Sequence, residues 1–280
     1  MKTYFVTEAA RGLGRELTET ILANGDQIFA TARKPEQLDD LVAKYPGKIK
    51  VHQLDVTDID SVQAATSAAF DNFDRIDVVI NNAGYMDVAF LEDEEMDVIR
   101  QQVETNFFGP LYVTKAMLPF LREQQGGTIV NISSIMSQAF NPTSSVYAAA
   151  KAAEIAFTES VSREVAAFGI KVIAIEPGGM RTEFLDSATV RHISGPYTQM
   201  FGERLAALTN SSTANFPGDR HKAALAVLAI AELDDLQTSI PLGIDALAIS
   251  NKYAQDQLAT NKKYADLISS DTADDFSINQ

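Results

Sequence analysis

Short β-branched runs return along this chain about every 25 residues: Tyr4-Phe5-Val6, Gln27-Ile28-Phe29-Ala30, Ile49-Lys50-Val51 and Val78-Val79-Ile80. After a longer interval come Thr128-Ile129-Val130-Asn131-Ile132 and Val172-Ile173-Ala174-Ile175. Between the runs, apolar residues recur every three or four positions, as at Leu13, Leu17, Ile21 and Leu22, which is the spacing of one helix face. Near-continuous apolar strands must be covered on both sides, and strands joined through helices run parallel with right-handed crossovers. The pattern therefore predicts an α/β fold, a doubly wound parallel sheet with helices on both faces. Ligands of such a sheet collect outside the carboxyl ends of its strands.

No linker breaks the alternation, so a single domain is expected over residues 1–280, with its core at about 3–185. The long interval before Thr128 has room for two helices, at about 93–124. From about 180 to 216 the chain turns irregular, with Gly195-Pro196 and Asn210-Ser211-Ser212-Thr213 in it and Pro217-Gly218 at its end. A long strandless stretch in a compact domain reads as a substrate lid. Helical patterns resume at about 217–233 and 245–268, and the polar, acidic end at 269–280 reads as a disordered tail.

Charge narrows the partners. The chain has 23 basic and 38 acidic residues, a net charge of −15, and both a nucleic-acid backbone and an anionic membrane surface would be repelled. It has no Cys, which removes disulfides, thiolate metal sites and cysteine nucleophiles together. The first residues form too short an apolar run for a signal peptide, and no stretch approaches the ~18 apolar residues of a membrane span. A cytoplasmic protein acting on a small molecule is expected, with neither nucleic acid nor membrane as partner and no metal.

The residues that carry chemistry stand at the ends of the runs. The first run leads into Thr7-Glu8-Ala9-Ala10-Arg11-Gly12-Leu13-Gly14, which opens a helix. Glycines there let a pyrophosphate approach bare backbone at a helix N-terminus. Asp55-Val56 follows the third run, Asn81-Asn82-Ala83-Gly84 the fourth, and Asn106 lies in the next helix. Ser133-Ser134 close the fifth run, Tyr147-Ala148-Ala149-Ala150-Lys151 opens a helix thirteen residues after Ser134, and Pro177-Gly178 closes the sixth. Together, over roughly residues 3–185, these motifs closely resemble those of the short-chain dehydrogenase/reductase family. The resemblance implies a single-domain Rossmann fold and an NADP(H)-dependent alcohol dehydrogenase or carbonyl reductase.

Tyr147 and Lys151 are four apart, so on a helix they share a face. A phenol of pKa about 10 is a poor base at neutral pH, and a neighbouring ammonium favours its ionised form. A lowered Tyr147 acting as acid and base is the expectation. By resemblance, Lys151 also holds the nicotinamide ribose, Ser134 bonds the substrate oxygen, and Asn106 anchors a water in the proton relay. The same carry-over gives the phosphate turn to Thr7, Gly12, Leu13 and Gly14, and the adenine to Asp55 with Val56. It gives the adenosine ribose side to Asn82, Ala83 and Gly84, the nicotinamide carboxamide to Thr182, and further cofactor contacts to Pro177 and Gly178.

Cofactor choice is a question of charge. NAD-binding proteins of this fold place a carboxylate after the second strand, whereas this chain has Arg33-Lys34 and no acid until Glu36. Arg33 and Arg11 suit a 2′-phosphate, so NADP(H) is expected over NAD(H). Glu8 departs from the family, which has Gly there. Its Cβ conflicts with a glycine conformation, and its carboxylate stands near the phosphates. It either pairs with Arg11 or Arg33 or points outward to a ribose hydroxyl, and a nucleotide-binding scaffold impaired at this turn is the alternative function.

Tyr85, Met86, Met136, Phe140, Met180 and Phe184, with Phe201, form an apolar set suited either to a hydrophobic carbonyl substrate or to packing under the lid. His52, His192 and His221 have no metal-ligand spacing. The run Glu92-Asp93-Glu94-Glu95 reads as a solvated helix start. By resemblance, a homodimer or homotetramer forms through Leu111–Leu121 and Ala152–Phe168, with Ile155, Phe157 and Val161 as contacts.

Overall fold

The computed structural model describes residues 1–181, 189–190, 193–209, 216–234 and 237–270. Its central sheet has seven strands, β1 (Thr3–Val6), β2 (Gln27–Ala32), β3 (Ile49–Gln53), β4 (Val78–Asn81), β5 (Gly127–Ile132), β6 (Ile170–Pro177) and β7 (Ser239–Leu242). All pairings are parallel, in the spatial order β3-β2-β1-β4-β5-β6-β7. The order reverses between β1 and β4, which is where sheets of this kind take ligands, beyond the strand ends. The helices are α1 (Gly12–Ala23), α2 (Asp39–Lys44), α3 (Ile59–Asn72), α4 (Met96–Val103), α5 (Gly109–Glu123), α6 (Ser145–Val165), α7 (Gly195–Thr209), α8 (Arg220–Glu232) and α9 (Ile244–Lys263), with a last turn at Ala265–Ile268.

Alternation along the strands divides the core in two. Tyr4 and Val6 of β1, with Val130 and Ile173, pack under Leu17 and Ile21 of α1 and Val227 and Leu228 of α8. Phe5, with Val79, Ile129 and Val172, faces Val62 and Ala65 of α3, Val113, Met117 and Leu121 of α5, and Val161 and Val165 of α6. Each such side chain taken fully out of water contributes roughly 1.5–3 kcal/mol. Helix starts are set locally: Asp58 accepts from the N–H groups of Asp60 and Ser61 ahead of α3, and Asp219 from Lys222 ahead of α8.

The structure departs from the sequence reading in four places. β7 is a strand that the periodicity did not mark. The interval expected to be irregular carries α7, of which Gly195–Thr209 is helical. The two helices expected at 93–124 are present, but Glu104–Phe108 joins them as a wide π turn rather than a break, and Asn106 lies in that turn. The acidic run is not merely a solvated helix start: Glu92 accepts from the Tyr197 hydroxyl at 2.7 Å and Asp93 from the Ser194 N–H at 2.9 Å. With Phe90 stacked on Tyr197 at 4.2 Å, these contacts dock α7 against the segment that enters α4. The expected tail falls beyond the described residues from 271 onward.

Candidate active site

Four loops deliver their residues to one end of the sheet. Behind β1, Thr7 is buried, and its hydroxyl accepts from the backbone N–H of both Asn82 and Ala83 at 2.9 Å. The Asn82 side chain returns a hydrogen bond to the Thr7 carbonyl at 3.1 Å. The β1–α1 turn and the loop after β4 are therefore tied into one surface. Gly14 is where they touch, since a Cβ there would strike the Glu8 carbonyl and the Asn82 amide.

Asn106 is wholly buried. Its Oδ1 accepts from Tyr85 N–H at 3.1 Å, and its Nδ2 donates to the carbonyls of Tyr85 at 2.8 Å and Gln102 at 2.9 Å. The side chain thus clamps the loop that carries Gly84. A Cβ on Gly84 would come within 2.9 Å of Asn106 Oδ1 and 3.7 Å of Lys151 Nζ, so bare backbone faces the lysine.

Ser134 begins a short turn after β5, its hydroxyl accepting from Met136 N–H at 3.1 Å, and it bonds the Tyr147 phenol. On α6 the buried stripe reads Tyr147, Lys151, Glu154 and Thr158, at intervals of four, three and four. Tyr147 is 5 % exposed and Lys151 2 %. Burial pushes the Tyr147 phenol above its ordinary value; Lys151 and the Ser134 hydrogen bond pull the other way but do not prevail. This corrects the expectation of a lowered Tyr147. Desolvation of the phenolate, which the chain's spacing does not reveal, outweighs the neighbouring ammonium.

Lys151 Nζ donates to the Ile132 carbonyl and to Glu154 Oε2, both at 2.9 Å. Burial works against its charge, and Glu154 and Tyr147, with Glu8 at longer range, more than restore it. Glu154 is the functional-region residue that sequence reasoning missed. Its signal was present in the 4-3-4 stripe, which places an acid on the same helix face as the Tyr–Lys pair. The stripe continues into the fold: Thr158 donates to the Glu154 carbonyl and accepts from Asn131, which accepts in turn from Asn81.

At the turn, Glu8 takes φ +52°, the left-handed conformation that a glycine would hold without strain. Its carboxylate pairs with Arg11 and accepts from Gly84 N–H at 3.2 Å. Of the arrangements open in the sequence, the pair with Arg11 is the one adopted, so the Arg11 guanidinium is already engaged. Arg33 is exposed and has no ion-pair partner among the described residues. Leu13 is buried beside Gly12, which itself has φ +53°.

The remaining assignments are spread along the strand ends. Asp55 is exposed, accepting from Thr57, and Val56 is buried against Gly109. Gly178 N–H is held by the Leu242 carbonyl, and Gly179 N–H by Asp245 of α9, so α9 pins the loop after Pro177; Asp245 too was missed. Tyr85, Met86, Met136 and Met180 are half-buried. Phe201 lies 5.2 Å from Phe90. Phe140 is 65 % exposed and meets Tyr253 of α9. His52 stacks on Phe29 and His221 bonds Glu16. Thr182, Phe184 and His192 lie outside the described residues.

The family model for short chain dehydrogenases matches residues 2–191. An oxidoreductase of Botryotinia fuckeliana is 41% identical over 271 residues, covering 95% of this chain and 97% of its own. Among solved structures, a short-chain dehydrogenase from Streptomyces avermitilis matches with a TM-score of 0.86 at 33% identity, covering 96% of this chain and 99% of its own. A short chain dehydrogenase from Burkholderia cenocepacia, in complex with NADP, matches with a TM-score of 0.74 at 28% identity, covering 94% of this chain and 98% of its own.

Proposed function

Since the chain belongs to the short-chain dehydrogenase family, we propose that it is an NADP(H)-dependent reductase converting a ketone or aldehyde to an alcohol. The observation that carries this reading is the hydrogen bond of Ser134 to Tyr147 beside Lys151, with Lys151 and Asn106 meeting at the bare backbone of Gly84. The residues present fit a dinucleotide, because the bare backbone at Gly84 faces the Lys151 ammonium and the Asn106 amide oxygen, and a Cβ there would crowd them. The Thr7–Gly14 turn, Asn82–Gly84 and Lys151 would hold it, with Asp55, Val56, Pro177, Gly178 and Thr182 along its length. When bound, NADPH supplies the hydride. Exposed Arg33 favours a 2′-phosphate by its fork of donors, and NADP is what the Burkholderia cenocepacia relative carries.

The protein's own part is the proton. The Ser134 hydroxyl donates to the substrate oxygen, and Tyr147 Oη gives that oxygen its proton as the carbonyl carbon gains hydride, so C=O becomes CH–OH. Burial keeps Tyr147 protonated beforehand, which is the form reduction needs. Lys151 then balances the phenolate left behind. Half-buried Tyr85, Met86, Met136 and Met180 suit an apolar substrate. Assembly as a homodimer or homotetramer through α5 and α6, to be checked by light scattering, and a cytoplasmic location belong to the same reading. A catalytically impaired scaffold is the weaker reading: Glu8 leans on Gly84 N–H, but the Ser–Tyr–Lys set that a scaffold has no use for is complete.

The test is NADPH oxidation against a panel of aldehydes and ketones, repeated with NADH. Tyr147→Phe lowers turnover at least ~10²-fold while NADPH fluorescence reports nearly unchanged binding. Wild-type turnover in that variant, or no NADPH binding by the wild type, overturns the proposal.

A further inference from the structure

Glu154 is a carboxylate that is 1 % exposed, in a position where the chemistry just described makes no use of it. It lies one helical turn beyond Lys151 and takes its ammonium at 2.9 Å, with the Ser133 hydroxyl alongside. Lys151 is in turn fixed to the end of β5 through the Ile132 carbonyl. Two groups so deeply buried are not screened by solvent, so their charges act on a neighbour nearly in full and with opposite sign. Tyr147, one turn before Lys151 on the same buried stripe, is that neighbour.

We infer that Glu154 is a positioning residue: it anchors the Lys151 ammonium and offsets part of its pull on Tyr147, leaving burial to keep the phenol a proton donor. Among the described residues, the charged and titratable groups around Tyr147 are few. Lys151 and Glu154 approach along α6, Glu8 acts on Lys151 from the β1–α1 turn, and the neutral Ser134 hydroxyl comes from the loop after β5. Of these, Glu154 is the one whose contact with Lys151 is both direct and buried. Burial is what chiefly raises the Tyr147 phenol, and Glu154 adds a smaller contribution in the same direction. The inference rests on the reductase reading only for the use made of the proton.

The experiment is an ultraviolet phenolate titration of the cofactor-free protein, with the signal of Tyr147 isolated by subtracting the Tyr147→Phe variant. In the wild type the Tyr147 step lies at or above the ordinary phenol range. In Glu154→Gln, which leaves Lys151 unopposed, the step moves down by about one pH unit or more. A step that stays where the wild type has it overturns the inference. Should Glu154→Gln fail to fold, Lys151→Met is compared with the double variant Lys151→Met with Glu154→Gln. With the ammonium gone, removing the carboxylate brings the Tyr147 step down by about half a unit or more. Equal steps in the two variants overturn the inference. No turnover enters this readout, so it stands or falls separately from the substrate screen.

Discussion

Two carboxylate–cation pairs with the same three-residue spacing stand at the two ends of the site, and they sit in opposite media. Glu8 and Arg11 close the β1–α1 turn with side chains 25 % and 46 % exposed. Lys151 and Glu154 lie on α6 with side chains 3 % and 1 % exposed. In the first pair, water and salt do much of the work, and the gain is slight. In the second, each charge has lost its water and depends on the other, so breaking the pair costs far more than forming it gained. The same residue types thus sit in different settings: the exposed pair holds a carboxylate at the turn proposed to take the phosphates, and the buried pair lies on the same helix stripe as the proposed proton donor.

The sharpest division should appear in stability. Glu154→Ala, which strands a buried ammonium, is expected to lower the unfolding free energy by about 3–5 kcal/mol in urea. Arg11→Ala should cost less than about 1 kcal/mol. Equal losses would break the comparison.

Cofactor affinity comes next. Glu8→Gly removes both a carboxylate near the phosphate turn and a side chain from φ +52°, and NADPH fluorescence titration should show binding tighter by about tenfold. Coulomb repulsion at an effective dielectric near 20 sets the upper limit of the gain, and Arg11 already offsets part of it. Weaker binding would show that Glu8 serves the cofactor instead of opposing it.

The pH dependence of reduction sharpens the buried side. A proton donor works below its pKa, and Tyr147 is raised, so kcat/KM should hold its plateau up to at least about pH 9 before any alkaline fall due to Tyr147. A fall centred near neutrality that disappears in Tyr147→Phe would mean that the phenol is lowered after all. The smallest effect is one of salt. Between about 0.05 and 0.5 M NaCl, a double-mutant cycle on Glu8 and Arg11 should lose most of its small coupling, while one on Lys151 and Glu154 stays nearly constant.

What could be read from the chain follows the strength of each local signal. β1 to β6 were legible because runs such as Val78-Val79-Ile80 can satisfy only a strand buried on both faces. β7 was not, because Ser239-Ile240-Pro241-Leu242 contains a proline and stays half-buried. Such a sequence is tolerated at an edge, where one side of the ladder needs no partner. The shared helix face of Tyr147 and Lys151 was legible from their spacing, whereas the grouping with Ser134 and Asn106 came from the family resemblance. The direction of the Tyr147 shift was not, because it depends on how tightly later segments seal α6. Glu8 was visible as a departure, but its choice of Arg11 over Arg33 is a matter of turn geometry. Glu154 and Asp245 escaped because a single acid on a helix is ordinarily a solvated one.

The π turn at Glu104–Phe108 gives the reach of Asn106 a mechanical origin. Each residue of an α-helix advances the side chains by about 100° around the axis, and a wide turn alters that count at one place only. Deleting one residue there would restore even winding and rotate everything upstream against everything downstream by a comparable angle. Asn106 could then no longer grip both backbone groups of Tyr85. A local irregularity in helical phase, acting through the Asn106 side chain, thus helps to keep the glycine beside the lysine in place.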